Sequence, residues 1–238
     1  MNAMLASVRS VEEARIALSG GCDWLDIKEP DAGALGQAPF AVVRDIVRLT
    51  AARVPVSATI GDRWDAPATI AAAVTAMADT GVDYIKVGIR ARAIDQASLL
   101  ALRRASGEGR AVIAVCMAEA PPAVADLAAL ADAGICGAML DTIDKGGLRL
   151  TALMNVTALT AFVAEVHRLG LLAGLAGKLR VADLATLATC GADYLGFRSA
   201  LCADGERRAG LDEHAFATVR AALAKSAALL SFNTDEVA

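Results

Sequence analysis

Lysines and an acidic residue alternate with apolar residues in two short runs of the sequence. The run 24–28 contains Asp26 and Lys28, and the run 84–89 contains Lys86. A lysine that is removed from water and crowded by another cation loses its proton more easily, and its free amine can form a Schiff base with a carbonyl compound. A neighbouring carboxylate can then move protons to and from the imine and enamine. These residue types therefore predict lysine-dependent carbonyl chemistry.

The period-two alternation predicts that these side chains share one interior. Successive side chains of a strand point to opposite faces, so apolar residues on one face leave the charged residues on the other. By this rule Asp26 and Lys28 point the same way, and Lys86 points inward in its own run. Asp141 ends a third run and also points inward, and Lys145 follows in the next loop. We expect Lys28 to be a buried active-site lysine and the other four to surround it.

A purely structural interpretation of these charges is the alternative. Charges inside a protein are costly unless they are paired, and Asp26 could simply neutralise Lys28 while Asp141 neutralises Lys86. The shared inward direction, the position of the charges at strand ends and the repeated Asp/Lys pairing favour an active site instead.

The elements that carry these residues repeat along the chain in strict alternation. An apolar or alternating run, a few loop residues and an Ala/Leu-rich stretch with helical spacing follow one another eight times. Strands are predicted at 4–8, 24–28, 56–60, 84–89, 111–116, 138–142, 172–175 and 194–198, and helices at 10–19, 40–52, 67–79, 94–105, 122–133, 156–169, 182–190 and 212–230. Eight such units predict a single-domain α/β protein, a (β/α)8 TIM barrel over residues 1–230, with a short tail at 231–238. Active sites of this fold lie at the carboxyl ends of the strands.

Glycines after the last two predicted strands indicate an anion site. Phosphate groups are often bound after strands 7 and 8 of this fold, where glycines bring backbone N–H groups close to the anion. An arginine there could add a bidentate contact. The alternative is that the glycines only serve tight turns. The candidate phosphate-binding residues are Gly177, Lys178, Gly196, Arg198 and Ser199.

Other polar residues carry less functional weight. His167 and His214 fall in predicted helices on the outside of the barrel, and Arg207 and Arg208 are expected in a solvated turn more than at a second anion contact. The five cysteines are widely spaced with no Cys-x-x-Cys pair, so no metal site is expected. No Rossmann-type or Walker-type glycine motif occurs, and we expect no organic cofactor.

Composition excludes several classes of partner. The chain has 238 residues, 56% hydrophobic and 21% charged, with a net charge of −4 and no basic run, which disfavours nucleic acid. No apolar stretch reaches the length of a membrane span, and Arg9 interrupts the region where a signal peptide would keep its apolar core. We therefore expect a cytoplasmic enzyme without a membrane partner. Apolar helix faces suit either a homo-oligomer or tight packing on the barrel.

Six segments of the chain resemble one known family. The chain is similar to the (5-formylfuran-3-yl)methyl phosphate synthases, also called 4-(hydroxymethyl)-2-furancarboxaldehyde-phosphate synthases, of methanofuran biosynthesis. The Asp-Ile-Lys-Glu-Pro and Tyr-Ile-Lys-Val-Gly combinations are the most specific parts of the match. The matching segments are 20–30 with 33–36, 56–62, 83–88, 138–142 and 195–198.

The resemblance implies a particular reaction. The family condenses two molecules of the triose phosphate glyceraldehyde 3-phosphate, with loss of one phosphate and of water, to a furan that carries an aldehyde and a phosphomethyl group. It belongs to the lyases. Carried over by position, Lys28 resembles the Schiff-base lysine, with Asp26, Lys86, Asp141 and Lys145 as the acid/base set.

Two other functions are open at this point. Another lysine-dependent aldolase on the same fold would share the Lys28 chemistry but release an open-chain sugar phosphate. A non-catalytic barrel that binds phosphosugars as a sensor or scaffold would form no covalent adduct and would tolerate loss of Lys28.

Overall fold

The strands of the chain pair in parallel with their neighbours in sequence, and the eighth pairs with the first to close a barrel. The computed structural model of the chain describes residues 2–63, 66–90, 94–144 and 146–235. Within these residues the strands are β1 Ala3–Val8, β2 Trp24–Ile27, β3 Val56–Thr59, β4 Tyr84–Ile89, β5 Val112–Met117, β6 Gly137–Asp141, β7 Leu172–Leu175 and β8 Tyr194–Phe197. The predicted TIM barrel is confirmed.

Helices surround the barrel and follow the predicted alternation. They are α1 Val11–Ser19, α2 Phe40–Thr50, α3 Ile70–Ala78, α4 Gln96–Ser106, α5 Val124–Asp132, α6 Leu150–Leu153, α7 Val156–Arg168, α8 Leu184–Ala188 and α9 Glu213–Asp235. The sequence did not predict α6, because one helical turn has too few residues to show a period. In the described part of the chain no helix is long and apolar enough to cross a membrane. Helix α9 continues to Asp235, past the boundary predicted at 230.

Side chains alternate between two hydrophobic clusters. Leu25 and Ile27 of β2, and Ile85 and Val87 of β4, belong to the large cluster between the strands and the helices. A second, smaller cluster fills the barrel interior and contains Leu5, Leu35, Ile113, Val115, Met117, Met139, Ala176 and Tyr194. The predicted alternation is therefore observed, and it leaves the polar residues of β2 and β4 inside.

Aspartates at the helix-to-strand joints fasten neighbouring strands. Each carboxylate accepts a hydrogen bond from the backbone N–H of a residue in or next to the preceding strand around the barrel, at 2.7 Å. The pairs are Asp23 with Met4, Asp83 with Val56, and Asp193 with Ala173. This explains why Gly-x-Asp recurs in the sequence: the glycine ends the helix and the aspartate sets the start of the next strand.

Three aromatic rings close the bottom of the barrel beneath the charged residues. Trp24 stacks on Tyr84 with ring centroids 4.7 Å apart and on Tyr194 at 5.2 Å. The Tyr194 ring covers Gly174, where any Cβ would collide with it. These rings fill the barrel at the amino ends of β2, β4 and β8.

Candidate active site

Asp26 and Lys86 form a close ion pair inside the barrel. They lie two residues beyond the stacked rings of Trp24 and Tyr84, so the same two strands bring them side by side in the next layer of side chains. Lys86 Nζ lies 2.9 Å from Asp26 Oδ1. The Asp26–Lys28 contact expected under the structural interpretation is present but long, at 3.9 Å, and the close partner of Asp26 is Lys86. Alternate strands of the barrel contribute to one layer of side chains, and this joins Asp26 to Lys86.

Two serines complete the surroundings of the Asp26 carboxylate. Ser7 donates to Oδ2 at 3.0 Å and Ser57 donates to Oδ1 at 2.8 Å. Burial alone would raise the pKa of Asp26, but the ammonium groups of Lys86 and Lys28, with these hydrogen bonds, lower it to about 2. Asp26 is therefore held as a carboxylate. Neither serine was predicted from the sequence, although both are inward residues in register with Asp26.

Lys86 is the more deeply buried of the two interior lysines. Its side chain is 2% exposed. Burial lowers its pKa, and the nearby Lys28 lowers it further, while the carboxylates of Asp26 and Asp141 act in the opposite direction. Its amine therefore gives up a proton more readily than an ordinary lysine.

Lys28 lies one layer higher, just beyond the end of β2. Its Nζ is 3.9 Å from Asp26 Oδ2 and 4.0 Å from Asp141 Oδ2, both longer than the Lys86 contact. Asp141 also accepts a hydrogen bond from the backbone N–H of Thr142 at 2.7 Å. The structure thus brings together Asp26, Lys28, Lys86 and Asp141 as predicted, whereas Lys145 lies outside the described residues.

These four residues line one pocket at the carboxyl ends of the strands. The pocket encloses about 530 Å³ of empty space, with the open solvent at its mouth included. Its lining contains five cationic side chains and only two carboxylates. Such an excess of positive charge suits an anionic ligand. The cations are Lys28, Lys86, Lys178, Arg198 and Arg207.

The predicted phosphate-binding residues also line this pocket. Gly177 has φ of +113°, and a Cβ there would lie 2.8 Å from the Thr142 side chain, so the β7 loop requires glycine at this position. The Lys178 ammonium donates to the carbonyl of Gly147. Gly196, within β8, and Ser199, just after it, also line the pocket. Their role in phosphate binding stays a prediction.

Arg198 lines the pocket, but its guanidinium donates its hydrogen bonds to other groups of the protein. A guanidinium carries five N–H donors. The acceptors are both carboxylate oxygens of Glu13 and the carbonyls of Ser7, Arg207 and Ala209. The side chain therefore has no donor left for the bidentate phosphate contact expected from sequence. Instead it joins β8 to α1 and to its own following loop.

Arg207 enters the pocket, contrary to its expected place in a solvated turn. Its guanidinium lies at the pocket mouth and donates to the carbonyl of Gly33 at 3.3 Å. Its neighbour Arg208 behaves as expected, since its side chain is 72% exposed and pairs with Asp31 at 3.0 Å. Both follow the last strand, so their position at the mouth was predictable but their directions were not.

The loop after β2 provides an apolar wall. Leu35 is buried and lines the pocket. The Asp62 carboxylate accepts hydrogen bonds from the backbone N–H groups of Ala34 at 3.2 Å and Leu35 at 3.1 Å. The carbonyl of Gly36 accepts from the Thr59 hydroxyl at 2.8 Å. Strand β3 and the loop after it thus hold Leu35 in the pocket wall.

The histidines lie outside the barrel as predicted, on helices α7 and α9. His167 Nε2 lies 3.0 Å from an oxygen of Asp193 near the amino ends of the strands. No group of three or more His, Cys, Asp or Glu side chains that could hold a metal ion occurs among the described residues.

Fold and site together define the class: a (β/α)8-barrel protein with a lysine–carboxylate centre in a positively charged pocket at the carboxyl ends of its strands. The model of the 4-HFC-P synthase family matches residues 4–220, which covers all eight strands. The chain belongs to the 4-HFC-P synthase family.

Relatives from bacteria and archaea match most of the chain. A protein of Methylorubrum extorquens, provisionally named (5-formylfuran-3-yl)methyl phosphate synthase, is 45% identical over 209 residues, which span 88% of this chain and 86% of its own. The (5-formylfuran-3-yl)methyl phosphate synthases of one Methanococcus maripaludis strain and of Methanopyrus kandleri are both 35% identical. Each match spans 87% of this chain and 92% of the relative.

Solved structures with low sequence identity share the fold. Phosphoribosyl anthranilate isomerase from Thermus thermophilus superposes with a TM-score of 0.67 at 14% identity, over 94% of this chain and 99% of that one. KGPDC from Streptococcus mutans gives a TM-score of 0.65 at 13% identity, over 94% of this chain and 98% of that one. These likenesses support the barrel architecture alone.

Proposed function

We propose that the protein condenses two molecules of glyceraldehyde 3-phosphate through a Schiff base on Lys28, and releases (5-formylfuran-3-yl)methyl phosphate. Phosphate and water are the other products, and the reaction is of the lyase type. The observation that carries this proposal is the pair of buried lysines that share Asp26 at the carboxyl ends of the strands. The names of its relatives support the furan phosphate as the product, for the biosynthesis of methanofuran-type cofactors.

Lys28 is the better placed lysine to attack a substrate carbonyl. It lies above Lys86, and its ion pairs at 3.9 and 4.0 Å are loose enough to be exchanged for substrate. Its amine adds to the aldehyde carbon of one triose phosphate and expels water to form the imine. The cationic imine nitrogen keeps the charge that Asp26 and Asp141 compensate in the free protein.

Lys86 and the carboxylates then move protons. Loss of a proton from the carbon next to the imine gives an enamine, whose carbon attacks the aldehyde of the second triose phosphate. The lowered pKa of Lys86 suits an amine that gives up and takes back a proton more readily than an ordinary lysine. Asp26 holds Lys86 at 2.9 Å and so sets the direction from which the proton moves.

The positive excess of the pocket supports a substrate with a phosphate at each end of the assembled intermediate. Gly177 and Lys178 follow β7, Gly196 lies within β8 and Ser199 follows it. This fold commonly binds phosphate at these strand ends. Burial of an ionised phosphate needs such donors, because its desolvation is costly without them.

The proposal is tested by incubating the purified protein with glyceraldehyde 3-phosphate alone. A furan aldehyde is conjugated and absorbs in the ultraviolet, so absorbance should grow with time in step with release of inorganic phosphate. An open-chain aldol product, the outcome for another lysine-dependent aldolase, would consume substrate without this absorbance or phosphate. Unchanged substrate would favour the non-catalytic barrel and refute the proposal.

A further inference from the structure

Two arginines of one loop differ sharply in how their donors are used. Arg198 has every N–H engaged by protein acceptors, and its residue is 8% exposed. Arg207, nine residues later, is half-buried and makes one hydrogen bond among the described residues, to Gly33. Its remaining donors lie on the wall of the pocket. A half-buried guanidinium with spare donors in a pocket can bind an anion.

Arg207 also spans the pocket mouth. It comes from the loop after β8 and reaches the loop after β2 at Gly33, and it lines the same pocket as the two lysines. Burial lowers the pKa of Arg207, and the carboxylate of Asp141, which also lines the pocket, acts in the opposite direction. A phosphate between Arg207 and the loop after β7 would contact residues of the pocket lining on both sides.

Arg198 determines where Arg207 lies. Its Nε donates to the backbone carbonyl of Arg207 itself at 2.9 Å, and Nη2 donates to that of Ala209 at 2.9 Å. Glu13 holds the other side of the guanidinium with both carboxylate oxygens, and one of them also accepts from the backbone N–H of Arg9 at 2.8 Å. Because the Arg198 guanidinium is hydrogen-bonded on both sides, it has little freedom to move. It therefore fixes the loop backbone at the residues before and after Arg208.

We propose that Arg207 is the side chain that binds a substrate phosphate from the β8 loop, and that the buried Glu13–Arg198 pair is the positioning device that holds it over the pocket. The phosphate as ligand rests on the proposed function, since triose phosphates carry it. The predicted contact thus moves from Arg198 to Arg207, and Arg198 acts through the loop backbone.

The first experiment measures binding of inorganic phosphate to the full chain by titration calorimetry. Arg207→Ala should weaken the affinity by about 10- to 100-fold, as expected for lost charge-assisted hydrogen bonds. Arg208→Ala is the matched control. It removes the same charge at the neighbouring position, and the Arg208 side chain is exposed and does not line the pocket. It should bind phosphate within about twofold of the unsubstituted protein.

Equal phosphate affinity in Arg207→Ala and Arg208→Ala would overturn the proposal, as would the absence of saturable binding to the unsubstituted protein. This assay does not depend on turnover. If no furan forms, the proposed function fails while the affinity comparison still stands. If furan forms but both variants bind phosphate equally, only the role of Arg207 fails.

The second experiment tests positioning with Arg198→Lys, which keeps the charge but cannot bond to all these acceptors. It should weaken phosphate binding by about 10-fold in the normal background and by less than about twofold in the Arg207→Ala background, because its effect passes through Arg207. Equal losses in both backgrounds would contradict positioning and indicate general damage. Thermal unfolding checks that each variant is folded, and Glu13→Gln replaces Arg198→Lys if the latter is not.

Discussion

At the scale of single residues, the two interior lysines have different surroundings that suit different tasks. Lys86 is tied to Asp26 at 2.9 Å and is almost fully buried, while Lys28 lies higher with looser ion pairs. The lowered pKa belongs to Lys86, and its causes are burial and the neighbouring Lys28 ammonium. A lysine fixed in the interior is suited to proton transfer, whereas one at the pocket mouth can meet a carbonyl carbon.

Replacing Lys28 by arginine keeps the positive charge but removes the amine. A guanidinium stays protonated and cannot form an imine, so Lys28→Arg should reduce kcat by at least about 10³-fold, the scale on which loss of a nucleophile is measured. The measurement is the rate of ultraviolet absorbance with glyceraldehyde 3-phosphate. Lys225→Arg, on the exposed face of α9, is the control and should keep normal activity. Activity of Lys28→Arg within tenfold of normal would refute the Schiff base.

Asp26 should make the protein sensitive to acid. Its pKa is lowered to about 2 in the folded state, so the folded protein holds fewer protons than the unfolded chain between about pH 4 and pH 2. The resulting stabilisation, on the order of 2 kcal/mol, is present above about pH 4 and is lost as the pH falls toward 2.

Urea unfolding at several values of pH tests this. In Asp26→Asn the free energy of unfolding should fall less steeply between pH 4 and pH 2 than in the unsubstituted protein. Its absolute stability should also be lower, because Lys86 loses its partner, so the slope is the diagnostic quantity. Asp45→Asn, at an exposed position of α2, should leave the slope unchanged. Equal slopes in all three proteins would contradict the assignment.

The sequence could predict which side chains face inward, but it could not predict which pairs they form. Because Leu25 and Ile27 face the helices, the alternation along the strand was sufficient to predict that the Lys28 side chain faces the interior. The partner of each lysine depends on the stagger between strands, which no local pattern contains. For the same reason Ser7 and Ser57 were missed, although each is in register with Asp26.

At the scale of elements, the loops after β2, β7 and β8 contribute residues to the pocket wall. The loop after β7 approaches the end of β6 so closely that a Cβ added at Gly177 would collide with the Thr142 side chain. The loop after β8 is tied to α1 through Arg198 and Glu13, residues 185 positions apart. The glycines were predicted from the sequence, but these contacts were not. The contacts join elements that are far apart along the chain, and no periodic pattern in the sequence relates such elements.

Gly177→Ala should damage the site as well as stability. Positive φ costs an alanine roughly 1 kcal/mol, and the contact with Thr142 adds to this, so we expect a loss of about 1–3 kcal/mol together with weaker phosphate binding. Gly170→Ala is the matched control: its φ is +73° but nothing lies within 4 Å of the added Cβ. It should lose about 1 kcal/mol and bind phosphate normally. Equal phosphate affinity in the two variants would show that the β7 loop does not contact the ligand.

At the scale of the whole molecule, closure of the barrel brings the inward side chains of separate strands together in one site. Eight short strands each contribute inward side chains, and an aromatic floor of Trp24, Tyr84 and Tyr194 blocks one end. The order and number of strands were predictable, because βα units repeat at even spacing and a parallel sheet of eight closes. The extra turn of α6 and the continuation of α9 to Asp235 were not, since neither changes the apolar pattern.

In the proposed reaction Lys28 forms the covalent bond to the substrate carbon while Lys86 moves protons. Borohydride reduction of the protein during turnover of glyceraldehyde 3-phosphate, followed by peptide mass mapping, tests it most directly, because the reduced imine leaves a permanent mass on one lysine. We predict the adduct on the peptide that contains Lys28, and none at that position in Lys28→Arg. An adduct on Lys86 or Lys145 with Lys28 unmodified would contradict the division of roles, and no adduct at all would contradict the Schiff base.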